Sequence, residues 1–410
     1  MTTIAGLRGT GDFGTDERPQ SFREYILWRE PNGAAPLQAL MAKMRSEEPP
    51  TPDFNWWEEE QGPIRLQVNN ASGITTTATT INVDNGDARE LVAGDLLLVE
   101  KSTENQTGEY DNELLEVVSV TDATTVVVTR GVAGTTAGTI ADNTYLTRVG
   151  SVFAEGTTSP DSTTRNPTKY TNYCEIFKRA YELTGSAAKP VATRTGNPVQ
   201  NDKKRKMFDF AVDMEFASFF GKPYEGTGSN GKPKRYTGGL RHFLGDAKVN
   251  GGATHVVRIW TTTPTEDELL DATYKMWDYR GAETGSNERI GLCGNGYLNS
   301  LNKLARNSSS TRINFDGIVK VYGMQLQRWV LPQGTLYLRT HPLFNVHSLF
   351  TNSAFFINPR AIVERPYRAV RFKDNIQAND ADTRKGQWMG EIGFEFHHLK
   401  TMAYHGNFVV

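Results

Sequence analysis

From residue 201 to 220 apolar side chains return at four-residue steps, as Phe208, Val212, Phe216 and Phe220, with Met207, Ala211 and Met214 beside them. That period predicts a helix whose apolar sector is wider than a surface stripe. Gly221, with Pro223 just beyond, stops it. Thr265-Glu266-Asp267-Glu268 has the form of a capping box and opens a second helix, which buries Leu269, Leu270, Met276 and Trp277 and ends by Gly281. A third follows Gly294-Asn295-Gly296, with Leu298, Leu301, Leu304 and Ala305 along one side. Elsewhere the runs are short and β-like. Those at 64–68, 80–83, 95–99, 114–120, 125–129 and 145–149 alternate with turn residues such as Asn85-Gly86 and Ala93-Gly94, which predicts a small all-β module or a long β-excursion. Residues 318–330 and 335–339, around Pro332-Gln333-Gly334, predict a hairpin, and 391–410 a β-rich end with Phe394, Phe396, Phe408 and Val409 available for burial.

Residues 1–62 differ from the rest. Gly9, Gly11, Gly14, Pro19, Pro31 and Pro36 punctuate them, and Pro49, Pro50 and Pro52 follow, so no packed core is expected there. The segment nevertheless carries Trp28, Trp56 and Trp57, and a short helix candidate at 36–44 with Leu37, Leu40, Met41 and Met44 on one side. Large apolar groups on a segment without a core need another surface. It reads as an arm that lies on something else.

Length and composition narrow the classes. The 410 residues suit two or three domains, and 38% hydrophobic with 22% charged residues is enough to fold. No apolar run approaches the roughly 18 residues that cross a bilayer, and residues 1–8 do not read as a signal peptide. Two cysteines, Cys174 and Cys293, make no disulfide framework and fit a reducing compartment. With 45 basic against 47 acidic residues the net charge is −2, which disfavours avid nucleic-acid binding by the whole chain.

Candidate chemistry is sparse. Gly226-Thr227-Gly228-Ser229-Asn230-Gly231-Lys232-Pro233 matches phosphate-loop patterns in letters. Those mechanisms need a strand before the loop and a helix after it; here a helix precedes and Pro233 stands where a magnesium-holding hydroxyl would. A flexible glycine-rich loop is expected. Lys203-Lys204-Arg205-Lys206 opens the Phe-rich helix, where the dipole disfavours cations. It is either a solvated first turn or a landing point for acidic groups of a partner chain or packaged nucleic acid. Glu58-Glu59-Glu60, beside Trp56-Trp57, is one candidate acidic partner. His397, His398, Glu395 and His405 do not promise a metal site, because neighbours on a strand point to opposite faces. No catalytic constellation, cofactor or metal is expected.

The order of elements resembles the major capsid proteins of tailed double-stranded-DNA phages, the Hong Kong ninety-seven fold. It runs arm, long β-excursion, amphipathic helix, glycine-rich loop, α/β region and returning strands. The likeness is sharpest over 168–244, where Asn172-Tyr173-Cys174-Glu175-Ile176-Phe177 and Gly238-Gly239-Leu240-Arg241-His242-Phe243 resemble motifs of a subgroup with an enlarged excursion. The resemblance implies an α+β fold with an arm at 1–62, an extended loop with an inserted β module at 63–160, and a peripheral domain at 161–250 with its spine helix at 201–220. An axial domain at 251–350 and peripheral return strands at 351–410 complete it. It implies a virion shell subunit, assembled in the host cytoplasm, that forms pentamers and hexamers around double-stranded DNA without reading its sequence. A portal protein, a separate scaffolding protein and a decoration protein are the implied partners. Trp28, Trp56, Trp57, Glu58, Glu59, Glu60, Lys203, Lys204, Arg205 and Lys206 are the candidate inter-subunit contacts. The rivals are a nanocompartment shell of encapsulin type and, from another class, a β-rich carbohydrate-binding or carbohydrate-active protein.

Overall fold

The computed structural model describes residues 37, 45–59, 62, 64–100, 113–164, 166–189, 197–250, 255–278, 287–307, 315–321 and 324–410. Strands β1 (Asp53–Glu58), β2 (Arg65–Gln67), β3 (Thr80–Asn82), β4 (Asp95–Val99), β5 (Leu114–Val120), β6 (Thr125–Thr129), β7 (Tyr145–Ser151), β8 (Thr168–Tyr173) and β9 (Glu175–Thr184) lead into helix α1 (Pro198–Phe220). Strands β10 (Tyr224–Thr227) and β11 (Pro233–Tyr236), helices α2 (Leu240–Leu244) and α3 (Ala247–Asn250), strand β12 (Val257–Ile259) and helix α4 (Glu266–Thr273) follow. Then come β13 (Glu288–Cys293), α5 (Asn295–Asn307), β14 (Phe315–Val321), β15 (Met324–Val330), β16 (Thr335–Thr340), β17 (Ala354–Ile357), β18 (Ile362–Lys373), β19 (Thr383–Phe396) and β20 (Ala403–Gly406). The class is α+β, as expected. The chain divides into one unit of Met1–Trp56 with Tyr170–Val410 and another of Trp57–Lys169. It enters and leaves the second through β1 and β8, which pair with each other.

In the first unit a seven-stranded sheet runs β12-β20-β17-β13-β16-β15-β14. Its central strand β13 is buried along almost its whole length, the mark of a strand covered on both faces. Strand alternation sorts the side chains into two cores. Ile290, Leu292, Tyr337, Phe355 and Ile357 join one with Phe219 of α1 and Leu240 of α2. Cys293, Leu336, Leu338, Ala354 and Phe356 join the other with Leu269 of α4 and Tyr297 and Leu301 of α5. The capping box is present, with Thr265 and Glu268 each accepting the other's backbone N–H. The span 318–330, predicted as one arm of a hairpin, is two antiparallel strands, β14 and β15. The turn at 331–334 then joins β15 to β16.

A second, three-stranded sheet runs β18-β19-β9, and α1 packs across it. Phe177 meets Phe210 edge-on at 6.3 Å, and Arg179 Nη2 donates to Asp213 Oδ1 at 2.6 Å. Helix α1 starts earlier than its apolar period suggests because Asn197 caps it, accepting from the N–H groups of Val199 and Gln200, with Pro198 in the first turn. Its fully buried residues include Phe210, Glu215, Ser218 and Phe219, whereas Phe208, Val212 and Phe216 are half-buried. Polar and apolar residues are mixed around α1, so its pattern sets no single face: Phe210 meets Phe177 of the three-stranded sheet, while Glu215 and Phe219, on another side of the helix, meet His341 and Phe355. The outer strand β18 carries Pro366 and two register shifts. Ser46 adds to it as a parallel bridge at Glu364.

The second unit holds the excursion expected at 63–160. Its antiparallel sheet runs β2-β7-β4-β5-β6-β3. The two end strands meet through the bridge of Val68 with Val83 and the bond from Asn69 N–H to Asn82 O at 2.8 Å. The sheet therefore closes into a barrel filled by Leu66, Ile81, Leu97, Leu115, Val126 and Leu146. Beside this core the carboxylate of Glu113 and the guanidinium of Arg130 pair through two bonds of 2.6 Å. Glu113 also accepts the N–H groups of Gly131 and Gly138, and Arg130 donates to the carbonyls of Thr75, Ala78 and Gly138. Burial alone would raise the Glu113 carboxyl, but these donors outweigh it and hold it below its ordinary value.

Candidate assembly surfaces

Three segments distant in sequence converge on one buried amide. Asn172 Nδ2 donates to the carbonyls of Phe394 at 2.7 Å and Gly238 at 3.1 Å, while its Oδ1 accepts from Gly238 N–H at 2.6 Å and Tyr173 N–H at 2.9 Å. All its hydrogen-bonding capacity is used. The two motifs that carried the family resemblance thus touch, and the contact explains their glycines. A Cβ on Gly239 would lie 2.6 Å from Ala217 O and 2.7 Å from Gly221 N, so only glycine lets this segment cross the end of α1. Next to it Trp56 stacks on Tyr170 at 5.6 Å and meets Phe243 at 5.2 Å.

A second junction lies one turn back along α1. Fully buried Glu215 accepts Leu37 N–H at 2.9 Å, and its Oε1 lies 2.8 Å from Nε2 of buried His341. A third ties residues 45–47 to β18. Arg365 Nη1 lies 2.7 Å from Glu47 Oε2, and Arg365 also bonds Glu395, which His397 reaches at 3.0 Å. Burial pushes the Glu395 carboxyl up, but His397 and Arg365 prevail and lower it. These junctions hold Leu37, Glu47 and Trp56 of the arm to the chain's own body.

These placements revise the expected contacts. Trp56 is 5% exposed; its neighbours Phe54, Tyr170 and Phe243 supply within the subunit the apolar surface assigned to a partner. Trp57 is 58% exposed, with Lys169 Nζ 5.9 Å from its ring centre. Glu58 ends β1 and Glu59 is exposed; Trp28 and Glu60 lie outside the described residues. In the basic run, Lys203 sits 3.7 Å above the Phe372 ring and Lys206 pairs with Asp209 at 3.1 Å. Arg205 lines a groove with Asp202, Asp209 and Glu182, and Lys204 is exposed. Because α1 begins at Pro198, the basic run lies beyond its first turn rather than in it, and it is partly absorbed by the chain's own sheet and helix.

The remaining motifs do not form reactive centres. Residues 224–236 form the hairpin of β10 and β11, without the strand-loop-helix step that phosphate binding requires. Burial pushes the Cys174 thiol up to about 12 and that of Cys293 higher still, so neither is a ready nucleophile. His405 is enclosed and bonded to the Tyr297 hydroxyl at 3.0 Å, away from the His397–Glu395 pair. In sequence, Asn172 is marked by its motif and Glu215 stands out as an acid inside the Phe-rich helix, but neither shows its partners, and nothing points to His341.

The SU10 major capsid protein family model matches residues 20–406. The major capsid protein of Pseudomonas phage PaMx41 is 27% identical over 373 residues, covering 88% of this chain and 82% of that protein. Among solved structures, the capsid of Myoviridae phage XM1 aligns over 94% of this chain and 96% of its own, at 10% identity and a TM-score of 0.42. The capsid of a native GTA particle aligns over 98% of both chains at 8% identity and a TM-score of 0.46.

Proposed function

The chain belongs to the SU10 major capsid protein family and is a phage major capsid protein, and from that premise we propose that its copies build pentamers and hexamers tiling an icosahedral head around double-stranded DNA. The match across 20–406 carries this reading, because it spans nearly the whole chain rather than one module. A net charge of −2 agrees with it: a container wall should hold a polyanion weakly. The proposal reads 161–250 with 351–410 as the peripheral domain and 251–350 as the axial domain, the return strands β17 and β20 joining β13 and β12 in the large sheet. Trp57, Glu58, Glu59 and Lys204 stay as candidate contacts between copies. The proposal assigns a portal, a separate scaffolding protein and a decoration protein as partners, assembly in the host cytoplasm, and no catalysis. Electron micrographs of the purified protein are expected to show closed particles or ring-like capsomers. A monomer that never assembles at high concentration, or that binds glycans instead, overturns it.

A further inference from the structure

One mouth of the barrel is hollow. The connections β2–β3, β4–β5 and β6–β7 all lie at that end, and a cavity of about 610 Å³ opens there. Barrel mouths are a recurrent seat of small-molecule sites, whose volumes run from about 300 to 1,000 Å³. The lining comes from the end of β4, from residues just before β5 and β7, and from 72–75 and 136–141. Ile74 and Ile140 join those last two segments by exchanging both backbone hydrogen bonds, and with Val99 they give the cavity an apolar base. Two carboxylates stand on its wall, and both are already spent. Glu113 accepts two hydrogen bonds from Arg130 and one each from the N–H groups of Gly131 and Gly138, which fills its acceptor sites. Glu100 is bonded by Arg65 and by the Thr147 hydroxyl. The hydroxyls are the opposite case. Thr144 is 2% exposed and its Oγ1 has no partner, which costs stability unless something bonds it. Thr136 and Thr139 are exposed, and their hydroxyls hold no partner among the described residues.

We propose that this mouth binds a neutral sugar ring of hexose size. An anion would meet carboxylates, with no Lys, Arg or His among the described lining residues. A cation would find those carboxylates neutralised by their own arginines. An apolar guest would leave the Thr144 hydroxyl unbonded. A sugar ring carries hydroxyls around its edge and C–H groups on its faces, the complement of unspent hydroxyls over an apolar base. No aromatic side chain lines the cavity among the described residues, so there is no ring for the sugar to stack on, and the expected Kd is about 1–10 mM. The inference is independent of the capsid reading. The site lies within one module that has its own core, and binding there accompanies assembly rather than replacing it.

The test is saturation-transfer NMR on the full chain with glucose, galactose and N-acetylglucosamine, each at about 10 mM, near the expected Kd. At least one sugar should receive saturation from the protein, and acetate at the same concentration should receive none. Thr144→Val removes the buried hydroxyl and keeps the branched shape. It should hold the melting temperature within about 2 °C and cut the sugar signal about fivefold, the worth of one hydrogen bond. Gly138→Trp is the second variant and should act in the same direction. A Cβ at Gly138 meets nothing within 4 Å, so the indole can be added beside the cavity without a clash. No transfer to any of the three sugars overturns the inference. Transfer no greater than that to acetate overturns it too, as does a sugar signal unchanged in either variant, since the sugar would then be held elsewhere. Shell assembly is a separate measurement, and its failure would bear on the capsid reading alone.

Discussion

His405 is enclosed by Trp260, Tyr297 and Phe356, and burial pushes its imidazole down to about 3. An unfolded histidine takes up its proton near pH 6.5. Between those values the unfolded state binds more protons than the folded one, so stability falls as the pH drops. The expected loss from this residue is about 2 kcal/mol between pH 6.5 and pH 5, with His255, also lowered by burial, adding in the same direction. Urea denaturation across that range should show a shallower slope for His405→Phe than for the unsubstituted chain; equal slopes would refute the assignment. This acid sensitivity sits in the core behind the large sheet, not in the charged contacts of the surface. The Glu395 network adds to it at lower pH, because a carboxyl held below its ordinary value gives up stability as acid protonates it.

Helix α1 shows what local pattern can and cannot determine. Asn197, Pro198 and Gly221 mark its ends by capping chemistry, and the Thr265–Glu268 box and Gly294 mark two more helices equally well, because each signal lies within a few residues of what it controls. The facing of α1 was not legible. Its period favoured Phe216, yet Phe219 carries the burial, at 0% exposure. Phe219→Asp should therefore prevent soluble folding, since an unpaired buried charge costs several kcal/mol. Phe216→Asp should leave a folded subunit, weaker by about 1–3 kcal/mol. Equal damage in urea titrations would restore the original facing. The pairing of Glu215 with His341 spans 126 residues, and the bridge that closes the barrel joins strand ends whose sequences do not announce it. Both depend on contacts that no short window contains.

At the scale of the molecule, the chain is a body interrupted by a module that has its own core. Every member of the barrel's apolar cluster lies within 57–169, and both other clusters lie outside it. Trp56 and Tyr170, at the points of departure and return, stack on one another. Replacing 57–169 by a short Gly-Ser linker should thus leave a cooperatively folding body, and 57–169 expressed alone should fold too, both checked by thermal unfolding with near-ultraviolet circular dichroism. Loss of cooperativity in either piece would show that the two are not separate. The order of arm, excursion, long helix and returning strands was readable at this scale because it rests on composition and period over tens of residues. Strand β18, finally, bears on what happens when very many copies crowd together before a particle closes. Its free edge is taken up at Glu364 by residues 45–47, and Pro366 just beyond has no N–H to offer a further ladder. A border so occupied is a poor template for a fibre. Crowded subunits are thereby steered away from amyloid-like stacking while their side-chain contacts mature.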